Sequence, residues 1–199
     1  MSRRLAVIAF LLFCSSSAYA QSFEASGHFV LSQWSEFDGD DFGFGGRVTF
    51  KPLPLIGIDA DLSWYPSEFP SDAIPFSDSR FEGLFGVTVG PKLTRLRPFA
   101  KVGAGFLNIA GTQERIACIA IFPPPLYCSL AADQTLTTLE FGGGVEIDAT
   151  TRSFVRVDIT DRMIKYPGPT LDSDFEVRDE GFFGHALRFA IAFGFRFAQ

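Results

Sequence analysis

From Leu187 to Phe197 the chain alternates with a period of two. Leu187, Phe189, Ile191, Phe193, Phe195 and Phe197 fall on one side, and Ala186, Arg188, Ala190, Ala192, Gly194 and Arg196 on the other. Successive side chains of an extended strand point to opposite faces, so this is the mark of a strand between two unlike environments. Seven earlier segments repeat it. Near residues 23–33, Ala25, Phe29 and Leu31 oppose Glu24, Ser26, His28 and Ser32. Phe42, Phe44, Val48 and Phe50 oppose Gly43, Gly45, Arg47, Thr49 and Lys51. Ile56, Ile58, Ala60, Leu62 and Trp64 oppose Gly57, Asp59, Asp61 and Ser63. Phe81, Phe85, Val87 and Val89 oppose Glu82, Gly86, Thr88 and Gly90. Ala100, Val102, Ala104 and Phe106 oppose Lys101, Gly103 and Gly105. Leu139, Phe141, Val145 and Ile147 oppose Glu140, Gly142, Gly144 and Glu146. A shorter seventh segment sets Val155, Val157 and Ile159 against Arg156, Asp158 and Thr160.

Eight segments of this kind predict an all-β chain. Each is near the roughly 9–11 residues that a tilted strand needs to cross a bilayer. Periodicity alone does not say which face is inside; residue size does. The interior of an eight-stranded barrel holds side chains and little else, so glycines and a few long charged groups suit it, whereas Phe in every strand would overfill it. The fold expected is an eight-stranded antiparallel up-and-down transmembrane β-barrel. A lipocalin-like soluble barrel, with the two faces exchanged, is the alternative. Connections alternate between long (near 34–41, 66–79, 109–134 and 163–183) and short (Pro52 to Pro54, Pro91 to Arg97, Ala149 to Thr151). Outer-membrane barrels have short periplasmic turns and longer external loops, with aromatic girdles at both interfaces. Trp34, Phe50, Trp64, Tyr65 and Phe197 are the girdle residues expected here.

Composition narrows the setting. Arg3 and Arg4, the apolar run Leu5 to Phe13 and then Ala18-Tyr19-Ala20 read as a secretory signal peptide, too short to span as a helix. Residues 1–20 are expected to be removed by cleavage between Ala20 and Gln21, leaving 21–199 as one barrel domain. The loss of two arginines takes the net charge from −6 to −8. An acidic chain without a basic block is a poor nucleic-acid binder. The 24 Phe of the sequence need an apolar solvent or a large core. No helix-length apolar stretch follows Ala20, and only helices and closed barrels satisfy their backbone within lipid.

Three segments carry a family likeness. Arg97-Pro98-Phe99-Ala100-Lys101-Val102-Gly103-Ala104-Gly105-Phe106 is similar to the fifth-strand pattern of the OmpA-type outer-membrane barrel family. Phe141-Gly142-Gly143-Gly144-Val145-Glu146 resembles its sixth strand, and Phe193-Gly194-Phe195-Arg196-Phe197 its C-terminal assembly signal. The likeness runs over 21–199. It implies residence in the outer membrane of a diderm bacterium, with the loops at the cell surface. The partners it implies are outer-membrane lipid and lipopolysaccharide, the barrel-assembly machinery reading Phe193, Phe195 and Phe197, and an extracellular ligand at the loops. The family's terminal aromatic is followed here by Ala198-Gln199, and no peptidoglycan-binding domain is present to carry that role over.

Little else points to chemistry. An outer-membrane acyltransferase or deacylase would need His, Ser and an acid near one rim. His28 lies mid-strand on the inward face and His185 at the loop end of the last strand, and structural hydrogen bonding accounts for both. Asp38, Asp40 and Asp41 around Gly39 lack the distant bidentate Glu of a calcium loop, so no metal or cofactor is expected. Gly142 to Gly144 opens no helix and suits close packing better than a phosphate. Cys118 and Cys128, in the third long connection, form a disulfide if that connection is exported to an oxidising compartment. On the inward face Glu24, Asp59, Asp61, Glu82, Glu140 and Glu146 meet Arg47, Lys51, Lys101, Arg156, Arg188 and Arg196. Charges so enclosed must pair, which predicts an ion-pair network plugging the lumen. The function expected is a small non-enzymatic outer-membrane barrel, structural or surface-binding through its external loops. The alternative is a lipid A-modifying barrel enzyme.

Overall fold

The structure is a computed structural model, and it describes residues 22–36, 40–66, 79–110, 123–124, 133–171 and 176–197. Cys118, Cys128, Ala20, Gln21 and Asp38 lie outside the described residues. Eight long strands close into a barrel: β1 (Ser22–Trp34), β2 (Asp40–Leu53), β3 (Ile56–Tyr65), β4 (Arg80–Val89), β5 (Leu96–Ile109), β6 (Gln134–Asp148), β7 (Ser153–Tyr166) and β10 (Phe182–Arg196). A two-stranded hairpin, β8 (Thr170–Leu171) with β9 (Val177–Arg178), sits in the connection between β7 and β10. Each strand is antiparallel to its sequence neighbours, and β1 pairs with β10 from Glu24↔Arg196 to Trp34↔Ala186. That seam leaves no free sheet edge, which is the condition for placing a sheet in hydrocarbon.

The orientation follows the glycine argument. Phe29, Phe44, Phe85, Val102, Phe141, Ile159 and Phe193 are exposed on the outer wall, while Glu24, Arg47, Asp59, Asp61, Glu82, Lys101, Glu140, Arg156 and Arg188 are buried inside. Close approach between neighbouring strands on the inner wall needs residues without a Cβ. At Gly45 an added Cβ would stand 2.8 Å from the His28 ring nitrogen Nε2 and closer still to the Leu62 carbonyl.

Three expectations are corrected. Trp34 and Tyr65 are not girdle residues: they are 4 % and 0 % exposed and point inward. Trp34 shares parity with Glu24, His28 and Ser32, and Tyr65 with Asp61 and Ser63, so period two sends both into the lumen, where one end needs apolar filling. Phe50, Trp64 and Phe197 do face outward. The seventh strand is not short. It runs on through Asp161 to Tyr166, because Arg162, Ile164 and Tyr166 keep the inward parity and bury completely or nearly so. The fourth long connection therefore begins at 167, and the first is reduced to 35–39 by the early start of β2.

Candidate functional site

The lumen is the one interior of the fold, and the strands fill it in three layers between the end bearing the short turns and the end bearing the long connections. At the turn end, Lys51 Nζ lies 2.7 Å from Glu24 Oε1 and 3.1 Å from Glu146 Oε2. Arg196 reaches Glu24 at 2.7 Å, Asp148 at 2.6 Å and also Glu146. Arg97 Nη2 donates to the Pro54 carbonyl at 2.8 Å. A cavity of about 340 Å³, open to solvent at this end, is lined by Glu24, Lys51, Arg97, Glu146, Arg196 and Lys92.

The middle layer is a continuous ion-pair web. Arg47 bridges Asp61 (2.8 Å) and Asp158 (2.7 Å), and Arg156 bridges Asp59 and Asp158, both at 2.9 Å. Lys101 meets Glu140 and Arg162 meets Glu82, each at 2.5 Å. Arg188 stands at the centre, 3.2 Å from Asp61, 3.4 Å from Glu140 and 3.7 Å from Glu82, and donates to Ser63 Oγ at 3.1 Å. Hydroxyls complete the carboxylates: Thr49 donates to Asp59, Thr160 to Glu140 and Tyr65 to Glu82, all at 2.8 Å. Phe99 lies under the Arg156 guanidinium at 4.1 Å.

The layer nearest the long connections is apolar. Trp34, Leu107, Ile109, Leu136, Ile164, Tyr166 and Ala186 form one buried cluster, with Phe182 packed against Tyr166. Arg162 joins the two layers, its guanidinium 5.3 Å from the Trp34 ring and 5.8 Å from Tyr65. Desolvated cation–π contacts of this kind are worth up to about 2 kcal/mol each. Arg80 and Asp41 pair at 2.6 Å beside this cluster.

The structure places all twelve sequence-expected lumen residues on the inner wall and adds others. Asp41, Arg80, Arg97, Asp148, Asp158 and Arg162 also face in. Nine inward acids (Glu24, Asp41, Asp59, Asp61, Glu82, Glu140, Glu146, Asp148, Asp158) thus meet nine inward bases (Arg47, Lys51, Arg80, Arg97, Lys101, Arg156, Arg162, Arg188, Arg196) among the described residues. Parity places Asp41 with Gly43 and Arg47, and Arg162 with Arg156 and Asp158, once each strand is known to reach that far; a seventh strand that stops near Thr160 leaves Arg162 out. The calcium-loop reading fails at Asp41, whose carboxylate is turned inward onto Arg80.

Among the described residues neither histidine builds a nucleophilic site. His28 Nε2 is 2.9 Å from Ser63 Oγ and 3.6 Å from Asp61 Oδ1. Serine and acid thus share one ring nitrogen, whereas a triad places them on opposite nitrogens. His185 Nδ1 is 2.9 Å from Asp161 Oδ2 on the outer wall. The neighbouring Ser35 hydroxyl donates to the His185 carbonyl at 2.8 Å and accepts the His185 N–H at 3.0 Å, so it is turned to the backbone rather than to the ring. Among the described residues no group of three His, Cys, Asp or Glu is placed to hold a metal ion.

No protein-family model matches the chain, and no curated protein matches it. Solved structures do. Neisserial surface protein A aligns with a TM-score of 0.54 at 10% identity, over 88% of this chain and 96% of that one. The N-terminal β-barrel domain of Pseudomonas aeruginosa OprF aligns at 0.48 and 13% identity, over 87% and 97%. The outer membrane protein OprG from the same organism aligns at 0.46 and 12%, over 90% and 97%. The fold is the closed eight-stranded antiparallel barrel that Neisserial surface protein A also has.

Proposed function

We propose that this barrel resides in the outer membrane of a diderm bacterium as a closed, non-enzymatic protein that meets its surroundings through its long loops. Export would follow removal of residues 1–20, with Gln21 first in the mature chain. Assembly would use the aromatic ending Phe193, Phe195 and Phe197, all exposed on the outer wall. The observation that carries the reading is the filled lumen. Ion pairs occupy its middle, and the Trp34–Tyr166 cluster closes the end next to the long connections. A water-filled pore needs a continuous polar path, which that cluster interrupts.

Charge supports the orientation. Residues 35–40, 66–79, 110–133 and 167–181 carry three, three, two and five acidic side chains in turn, against the two bases Arg115 and Arg178. The short turns carry Lys92, Arg95 and Arg152. The lumen is balanced, so the mature chain's negative charge belongs to the loop end. An external face of that sign favours cationic partners and repels nucleic acid.

Conductance across a planar lipid bilayer tests the closed reading. Purified protein should give little or brief current; a steady, large open channel would overturn it. Lipid A mass spectrometry of a deletion strain, unchanged from wild type, is the result expected of a non-enzyme.

A further inference from the structure

A barrel wall that faces hydrocarbon carries ionisable groups at a cost, and such groups mark function more often than chance. The outer wall of β7 carries them. On β6 the outward positions from Ile147 to Leu139 are all nonpolar, as are those on β10 from Phe195 to Leu187. On β7 the apolar run stops after Val155, Val157 and Ile159, and Asp161 comes next. Its register partners are Phe141 and Leu187, both outward and exposed. The carboxylate is therefore set into the apolar band, not above it.

One basic group touches it, and a second lies two outward positions further along β7, beyond Met163. His185 is diagonal to Asp161 across the β7–β10 seam and holds its Nδ1 2.9 Å from Asp161 Oδ2. Its side chain is 53% exposed and that of Asp161 30%. One outward position nearer the loop end, Lys165 faces Phe183 across the seam, with its ammonium 4.9 Å from that ring, and Thr137 of β6 lies on its other side. Lys165, His185 and Asp161 thus descend from the rim into the band as a polar notch that opens sideways, toward lipid.

We propose that this notch binds the phosphate of a lipid headgroup in the leaflet at the loop end. The ligand is an anion because the acid is already engaged by His185, while Lys165 and the far ring nitrogen of His185 face outward. Asp161 accepts from Nδ1–H, and in the imidazolium form of His185 the Nε2–H, with the Lys165 ammonium, donates to phosphate oxygens. The ligand is a lipid because the site is flanked by Phe141, Leu187 and Phe183, and acyl chains lie against those residues when the headgroup is drawn down. The proposal rests on the membrane placement argued above.

Native mass spectrometry of the detergent-purified barrel with bisphosphorylated lipid A tests it, with heat-modifiable gel mobility as the check of folding. Wild type should retain the lipid. Lys165→Gln, at the rim, should retain about fivefold less, the loss of one cation at a lipid surface, and Lys165→Gln with His185→Gln less still. Lipid A stripped of its phosphates should be retained no better by wild type than by the double variant. Equal retention of bisphosphorylated lipid A by folded wild type and folded Lys165→Gln would overturn the proposal. So would binding of inorganic phosphate alone that displaces the lipid, or a His185-dependent loss of acyl mass, which would make the notch catalytic. Absence of a heat-modifiable form in wild type would instead sink the barrel placement.

Discussion

Arg188→Ala probes the lumen at its most connected point. Arg188 is fully buried and faces Asp61, Glu82 and Glu140, with Ser63 as a further acceptor. Its removal leaves nine acids against eight bases in a space with little room for water. Breaking a buried ion pair by deleting one partner costs ~3–5 kcal/mol, because the other charge stays desolvated. Each of the three acids keeps another cation: Asp61 keeps Arg47, Glu82 keeps Arg162 and Glu140 keeps Lys101. The expected loss is therefore at the low end, about 3 kcal/mol. The assay is urea unfolding of the barrel in lipid vesicles, followed by the fluorescence of Trp34 and Trp64, with stability taken from midpoint and slope. Arg188→Met combined with Glu140→Gln restores the charge balance, and its loss should fall short of the summed single losses by about 1–2 kcal/mol, as for groups in one network. A single-variant loss below about 1 kcal/mol, with additive singles, would show that water screens these charges and would refute the closed web.

The outer wall gives a depth series. Ile191 is the middle of the unbroken outward apolar run of β10 from Leu187 to Phe195, so Ile191→Arg should destabilise by ~2–4 kcal/mol and Phe193→Arg, nearer the turn end, by less; equal costs in vesicles would argue against that band. Gly45→Ala should cost about 1–3 kcal/mol by driving a methyl into His28 and the Leu62 carbonyl, and it should weaken the His28–Ser63 bond; an unchanged urea midpoint would contradict the close approach. Cys118 and Cys128 should resist thiol labelling in protein taken from cells, and reduction should remove no more than roughly 2–3 kcal/mol, because the loop they close is short. Full labelling without reductant would show that the bridge is absent.

The barrel was legible in the chain because its two faces obey unlike rules. Outward side chains are apolar almost throughout, Asp161, His185 and Lys165 being departures, and every inward one must fit a narrow space, so Phe189-Ala190-Ile191-Ala192-Phe193 or Val48-Thr49-Phe50-Lys51 records inside and outside residue by residue. Strand count follows from that period, and the identity of Glu24, Arg47, Asp61, Glu140 and Arg188 as inner-wall residues from the period together with residue size. What period two does not carry is where a strand stops. Arg162 continues the inward parity of Arg156 and Asp158, yet parity does not say that the strand reaches it; the ladders of β7 with β6 and β10 carry the strand on through Lys165 and Tyr166, and Arg162 then meets Glu82 and Trp34. Nor does parity say which charges meet. Arg47 reaches Asp158 across 111 positions of sequence, and Arg188 reaches Asp61 across 127, because barrel closure and stagger bring those heights together. The pairing of Asp161 with His185 on the outer wall was likewise decided by the closed sheet. A residue's face is a property of its own strand, whereas its partner is a property of the register of all eight.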